Sequence, residues 1–160
     1  MTQRAHPASG QLALLTVCGD LVVAIAASAV HQVRAAEDTP ADAPTHGVTV
    51  LDIDGAQVAG WNLCALLGLP AARDAWVIVD LPDGTRVGLL VDRCVTVQNL
   101  PACRPIPPGV LGQRAGALAA GFAADALAEL AGYPAGAVLD LAHVLSAPER
   151  AASRRATGAP

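Results

Sequence analysis

Residues 48–70 read VTVLDIDGAQVAGWNLCALLGLP, and the meaning of Asp52-x-Asp54 inside them decides the fold. In an extended strand, residues two apart project to one face, so the two carboxylates could grip a cation. A divalent ion needs more oxygen ligands than two, commonly with a bound phosphate. No other acid stands in a comparable motif, and no glycine-rich phosphate loop accompanies the pair. The turn reading has a stronger physical basis. Asp54-Gly55 lies between the apolar runs Val48–Ile53 and Gln57–Gly60, and glycine accepts the positive φ that a tight hairpin turn requires. Trp61–Leu69 then changes period, with Leu63, Leu66 and Leu67 at helical spacing, Gly68 at the end and Pro70 as a stop.

Working outward, the same grammar repeats. Gln11–Val17 and Leu21–Ile25 are β-prone runs joined by Cys18-Gly19-Asp20. Ala26–Val33 reads as one helical turn followed by a strand ending near Arg34, and residues 35–47 read as an exposed loop rich in proline and acid. WVIVDL (76–81) and RVGLLVDR (86–93) flank Pro82-Asp83-Gly84-Thr85, a second hairpin signal. In that second strand Val87, Leu89 and Val91 alternate with Gly88, Leu90 and Asp92, and Val95 and Val97 continue as a further strand. Residues 99–115, with four prolines, form a connector. Gly116–Phe122, Ala126–Leu130 and Ala137–Leu139 read as late strands, although alanine and leucine at 126–130 suit a helix equally. Leu139–Leu145 reads as a short closing helix. Residues 1–10 and 148–160, the latter with Arg150, Arg154 and Arg155, read as disordered tails around a domain over 11–147. Many short strands, frequent Gly/Pro turns and few brief helices imply a mainly β protein built of small closed or nearly closed barrels.

Composition narrows the function. The chain has 160 residues, 53% of them hydrophobic, a net charge of −4, ten arginines and no lysine. That is enough for one packed domain or two small lobes sharing a core. A nucleic-acid binder needs a basic face and aromatics to stack on bases, and neither is available here. With so few aromatic residues, the core is expected to rest on many small contacts rather than on aromatic anchors. Cys18, Cys64, Cys94 and Cys103 form no C-x-x-C pair and read as reduced, mostly buried small hydrophobes. Gly19-Asp20 interrupts the one N-terminal apolar stretch that resembles a signal peptide, and a cytoplasmic location is expected.

A search for reacting groups returns little. No serine stands in a G-x-S-x-G elbow. His31 and His143 lie in apolar sequence and read as partly buried structural histidines. Asp92 reads as a strand-end carboxylate. A Cys-His pair meeting only in space is open to any such sequence, but nothing recommends one. No catalytic residue, metal ligand or cofactor is expected.

The order of elements then becomes informative. A hairpin of apolar strands leads to AIAASAVHQVR, an acidic loop, VTVLDIDGAQVAGWNLCALLGL, RVGLLVDRCVTV, a Pro-Ile-Pro connector and AVLDLAHVL. Over residues 11–147 this series resembles the CheW-like domain of bacterial chemosensory systems. The resemblance implies two small SH3-like five-stranded β-barrels sharing a hydrophobic core, with short helices. It further implies a non-catalytic adaptor that couples the cytoplasmic tip of a chemoreceptor to the regulatory domain of a histidine kinase. Val30 and Arg34 match the family's receptor-facing segment, and Gln32 stands where the family often has glutamate. Gly55 and Leu63 agree with the family pattern. Asp52 replaces an asparagine, Asn62 an aspartate, and Asp54 falls where the family usually has arginine. The partner-binding positions implied are Ile25, Val30, Gln32, Val33, Arg34 and Asp54. Inverting the charge at 54 implies altered partner choice, since facing like charges across an interface cost several kcal/mol. Two other readings remain: a CheW-like regulatory or decoy module serving a different signalling kinase, and a small hydrolase or metal-dependent enzyme with a scattered site.

Overall fold

The computed structural model describes residues 7–39, 44–70, 74–106, 116–127, 130, 132–133 and 135–158. Among the described residues, ten strands fall into two five-stranded sheets. The first holds β1 (Leu12–Cys18), β2 (Leu21–Ala26), β8 (Arg93–Asn99), β9 (Leu118–Phe122) and β10 (Ala135–Leu139) in the order β8-β1-β2-β10-β9. The second holds β3 (Val30–Ala35), β4 (Thr49–Ile53), β5 (Ala56–Asn62), β6 (Ala75–Asp80) and β7 (Arg86–Val91) in the order β3-β6-β7-β5-β4. Lobe two is thus a continuous segment inserted into lobe one. The chain crosses between lobes at a tight helical turn, Ala27–Ala29, and again at Asp92. Each lobe contains one parallel pair, β2 with β10 and β5 with β7, flanked by hairpins.

The expected turns form for the expected reasons. Asp54 and Gly55 adopt φ 55° and 87°, the double positive φ of a primed hairpin turn, and the Asp52 carboxylate accepts a hydrogen bond from Gly55 N at 2.9 Å. Gly84 sits at φ 88°, where Leu81 O accepts from Gly84 N at 2.9 Å. Helix α1 (Leu63–Leu66) is capped by the Asn62 side chain, which accepts from Ala65 N at 3.2 Å. It ends in a Schellman motif at Gly68 (φ 76°), with Leu69 N donating to Cys64 O.

Burial explains why several strands read as unbroken apolar runs. β1 and β2 are covered on both faces. Leu14, Cys18, Val23 and Ile25 join a core cluster shared with lobe two, while Ala13, Leu15, Val22 and Ala24 fill the interior of lobe one around Phe122 and Leu130. The scarce aromatics act as anchors, contrary to the small-contact expectation. Trp61 and Trp76 are 4% and 3% exposed, and each indole N–H is satisfied, by Ser153 Oγ at 2.8 Å and Thr39 Oγ1 at 2.6 Å.

Three further expectations need correction. Around 126–130 the described residues form successive turns rather than a strand: Leu127 N donates to Ala124 O and Leu130 N to Leu127 O. Leu139–Leu145 is strand end and turn, and the closing helix, α2, covers Ala147–Ala156. Residues 148–158 are therefore no loose tail. Ser146 and Glu149 form a reciprocal capping box with Pro148 in the first turn, and Ser153 is buried against Trp61. At the other end, residues 7–10 are also packed: Pro7 is buried and Gly10 N donates to Leu100 O at 2.9 Å. The remainder of the expected N-terminal tail lies outside the described residues.

Candidate partner-binding surface

β3 and β4 are the two edges of the lobe-two sheet. Their side chains alternate: Val30, Gln32 and Arg34 are half-buried, while His31, Val33 and Ala35 point outward. Val33 (46% exposed) and Val50 on β4 (39% exposed) are the large apolar side chains that lobe two offers to solvent. The two edges approach each other at Arg34, whose Nη1 donates to Asp52 O at 3.1 Å. Beside this seam lies a groove of about 190 Å³ lined by Arg34, Val50, Asp52 and Trp76 among others.

The expected contact positions divide. Val30, Gln32 and Arg34 share one side of β3, and Arg34 reaches the β4–β5 hairpin that carries Asp54. Val33 is exposed, but on the opposite side of the strand. Gln32 Nε2 is buried without a hydrogen-bond partner among the described residues. Ile25 does not belong to the surface. It is fully buried in the core cluster shared by the lobes, because β2 is a central strand covered on both faces.

Electrostatics add a residue that the sequence reading passed over. Arg86, at the start of β7, donates from Nε to Asp80 Oδ1 at 2.8 Å. That bond and the Asp80 charge hold its guanidinium above the ordinary arginine range, with the Asp54 charge contributing in the same direction. Arg86 is paired with Asp80, and His31 Nε2 lies 3.4 Å from Arg86 Nη1. His31 is exposed rather than partly buried, and so is His143, whose Nδ1 lies 2.9 Å from Asp140 Oδ2. The signal for Arg86 was available: it opens the strand across the hairpin from Asp80, and facing residues on an antiparallel pair meet. Asp92 is the strand-end carboxylate expected, accepting from Gly19 N at 2.7 Å. Among the described residues, no three metal-ligating side chains gather into one group, and no helix is long and apolar enough to cross a membrane.

What the geometry defines is a two-lobed β protein of the paired-barrel class, whose distinctive features are sheet edges and charged hairpins. The chain belongs to the CheW-like domain family, whose model matches residues 12–149. A solved structure of similar fold is that of the scaffolding protein TtCheW from Thermoanaerobacter tengcongensis. The match has a TM-score of 0.61 at 15% identity, covering 80% of this chain and 87% of that one. Comparison with curated protein sequences gives no match.

Proposed function

We propose that this chain is a non-catalytic adaptor of bacterial chemosensory signalling, working in the cytoplasm by joining a chemoreceptor tip to the regulatory domain of a histidine kinase. Its membership of the CheW-like family over nearly all of its folded length carries this reading. The surface is consistent with it in physical terms. Open strand edges and rimmed apolar side chains make a sheet adhesive, and β3 and β4 supply both through Val33 and Val50. Val30, Gln32, Val33, Arg34 and Asp54 are the contact positions proposed. Co-precipitation from the native cell extract, with identification of what is captured, tests the reading. Recovery of a receptor and a histidine kinase is expected; recovery of neither contradicts it.

A second reading is favoured by one observation. Asp54 is exposed on a hairpin, at the position that the resemblance matches to the family's arginine. A CheW-like regulatory or decoy module that serves a different signalling kinase would show that inversion. In the same experiment it would capture a kinase without a chemoreceptor.

A further inference from the structure

A second cleft opens where two hairpins of lobe two diverge. Parallel pairing of β5 with β7 begins only at Ala59 and Val87. Ahead of that register, residues 56–58 stay paired with β4, and Arg86 stays opposite Asp80 on β6. The side of β5 that faces β7 therefore has no strand beside it at residues 56–58 among the described residues. Helix α2 forms the third wall through Ser153, Arg154 and Thr157, and the bond of 2.8 Å from Trp61 Nε1 to Ser153 Oγ holds it there. The space between the walls is about 420 Å³, a size typical of binding sites. Buried Ile53, Val58 and Ala59 make its floor. Exposed Ala56 and Gln57, with residues 84–86 of the β6–β7 hairpin, make its rim.

Charge indicates what the cleft takes. The chain has a net charge of −4, yet α2 carries Arg150, Arg154 and Arg155, and its one acid, Glu149, is engaged in the capping box. Arg154 lines the cleft, and Arg150, one turn earlier, lines an adjoining hollow of about 110 Å³ beside Asp83. The Thr85 amide holds the Asp83 carboxyl below the ordinary carboxylate range, and the Arg150 and Arg154 charges act in the same direction. Arg86 also lines the cleft, but Asp80 and then Asp54 already act on its guanidinium. The cations left for a ligand are those of α2.

We propose that this cleft binds an extended acidic peptide of a partner protein, lying along residues 56–58 of β5 with its carboxylates toward Arg150 and Arg154. A strand edge without a neighbour offers backbone hydrogen bonds to an extended chain, and alternate side chains of that chain enter the space beside it. The apolar floor accommodates one such side chain, and the guanidinium forks match carboxylates on the residues flanking it. The site is distinct from the contact positions proposed on β3 and at Asp54. It adds a further partner segment to the adaptor reading without resting on it.

The test is two-dimensional NMR of the full chain titrated with a blocked peptide alternating glutamate and valine. The matching lysine–valine peptide and sodium acetate serve as comparisons. Saturable shifts of the Gln57, Gly84, Thr85 and Thr157 amides are expected from the acidic peptide alone. Added salt should weaken the binding, and Arg150→Gln/Arg154→Gln should weaken it about three- to tenfold, in keeping with exposed charge pairs. Ala56→Phe, which fills the cleft and leaves its charges unaltered, should abolish the shifts while circular dichroism reports an intact fold. Absence of saturable shifts overturns the proposal, as do equal binding of the lysine peptide, shifts confined to β3 and β4, or the same shifts with acetate. Neither receptor nor kinase enters the titration, so such a failure leaves the adaptor reading untouched.

Discussion

The two lobes follow one plan and finish it differently. Each sets a parallel pair between hairpins, and each presses an aromatic ring onto a glycine of that pair. In lobe two, Gly60 and Gly88 are register partners, and a Cβ on Gly60 would sit 2.9 Å from the Trp76 ring. In lobe one, a Cβ on Gly136 would press into the Phe122 ring. The seams differ more. Lobe one closes through backbone, with Arg104 and Gly121 exchanging two hydrogen bonds of 2.8 and 2.7 Å that carry the end of β8 onto β9. Lobe two closes through a side chain, Arg34 reaching across to Asp52 O. A backbone bridge leaves little edge to pair with another chain. A side-chain strap leaves both edges available. The lobe with the looser seam is the one that carries the proposed contact residues.

The comparison can be broken most severely at Trp76. It touches the glycine pair and holds Thr39, so Trp76→Ala should cost about 3–5 kcal/mol in urea unfolding. A loss below about 1 kcal/mol would mean that lobe two does not rest on its indole. Glycine substitutions sharpen the contrast. Gly88→Ala meets Leu51, Trp76 and Ile78 together and should cost about 2–3 kcal/mol by overpacking. Gly136→Ala meets only the Phe122 ring, a single side chain that can turn aside, and should cost about 1–2 kcal/mol. The reverse order would contradict the idea that one movable ring yields more readily than three packed side chains. Ser153→Ala orphans the buried Trp61 indole N–H and should cost about 1–3 kcal/mol, accompanied by faster amide exchange throughout α2. The smallest effect belongs to the strap. Arg34→Ala should change global stability by about 1 kcal/mol or less, because the bond is exposed. Amide exchange should rise in β3 and β4 while the Arg104–Gly121 bridge stays protected.

Local chemistry was legible in the sequence wherever a few consecutive residues settled the conformation. Asp54-Gly55 and Pro82-Asp83-Gly84-Thr85 specified hairpins because positive φ narrows the choice to few residue types. Gly68 bounded the end of α1 for a similar reason, while the Asn62 cap at its start went unread. The errors came from longer range or from a signal with two meanings. The residues from Pro148 were read as a disordered tail, whereas in the first turn of a helix a proline's missing N–H costs nothing. Ser146-x-x-Glu149 just before it was the capping signature that distinguishes the two. Ile25 was assigned to the surface because only the tertiary position of β2 shows which of its faces are covered. The unbroken apolar run from Leu21 to Ile25, lacking alternation, was the clue that both are. The Arg86–Asp80 pair and the seam at Arg34 required knowing which strands become edges, which no short stretch encodes.

The claim on which the functional account rests is that lobe two is an adhesive surface whose partner choice is set by the charge at position 54. Isothermal titration of the chain and its Asp54→Arg variant against a CheW-binding histidine kinase regulatory domain and a chemoreceptor tip addresses it directly. The account predicts weak binding by the native chain and at least about tenfold tighter binding by Asp54→Arg, which corresponds to about 1.4 kcal/mol. Equal affinities for the two forms, or no binding by either, would contradict it.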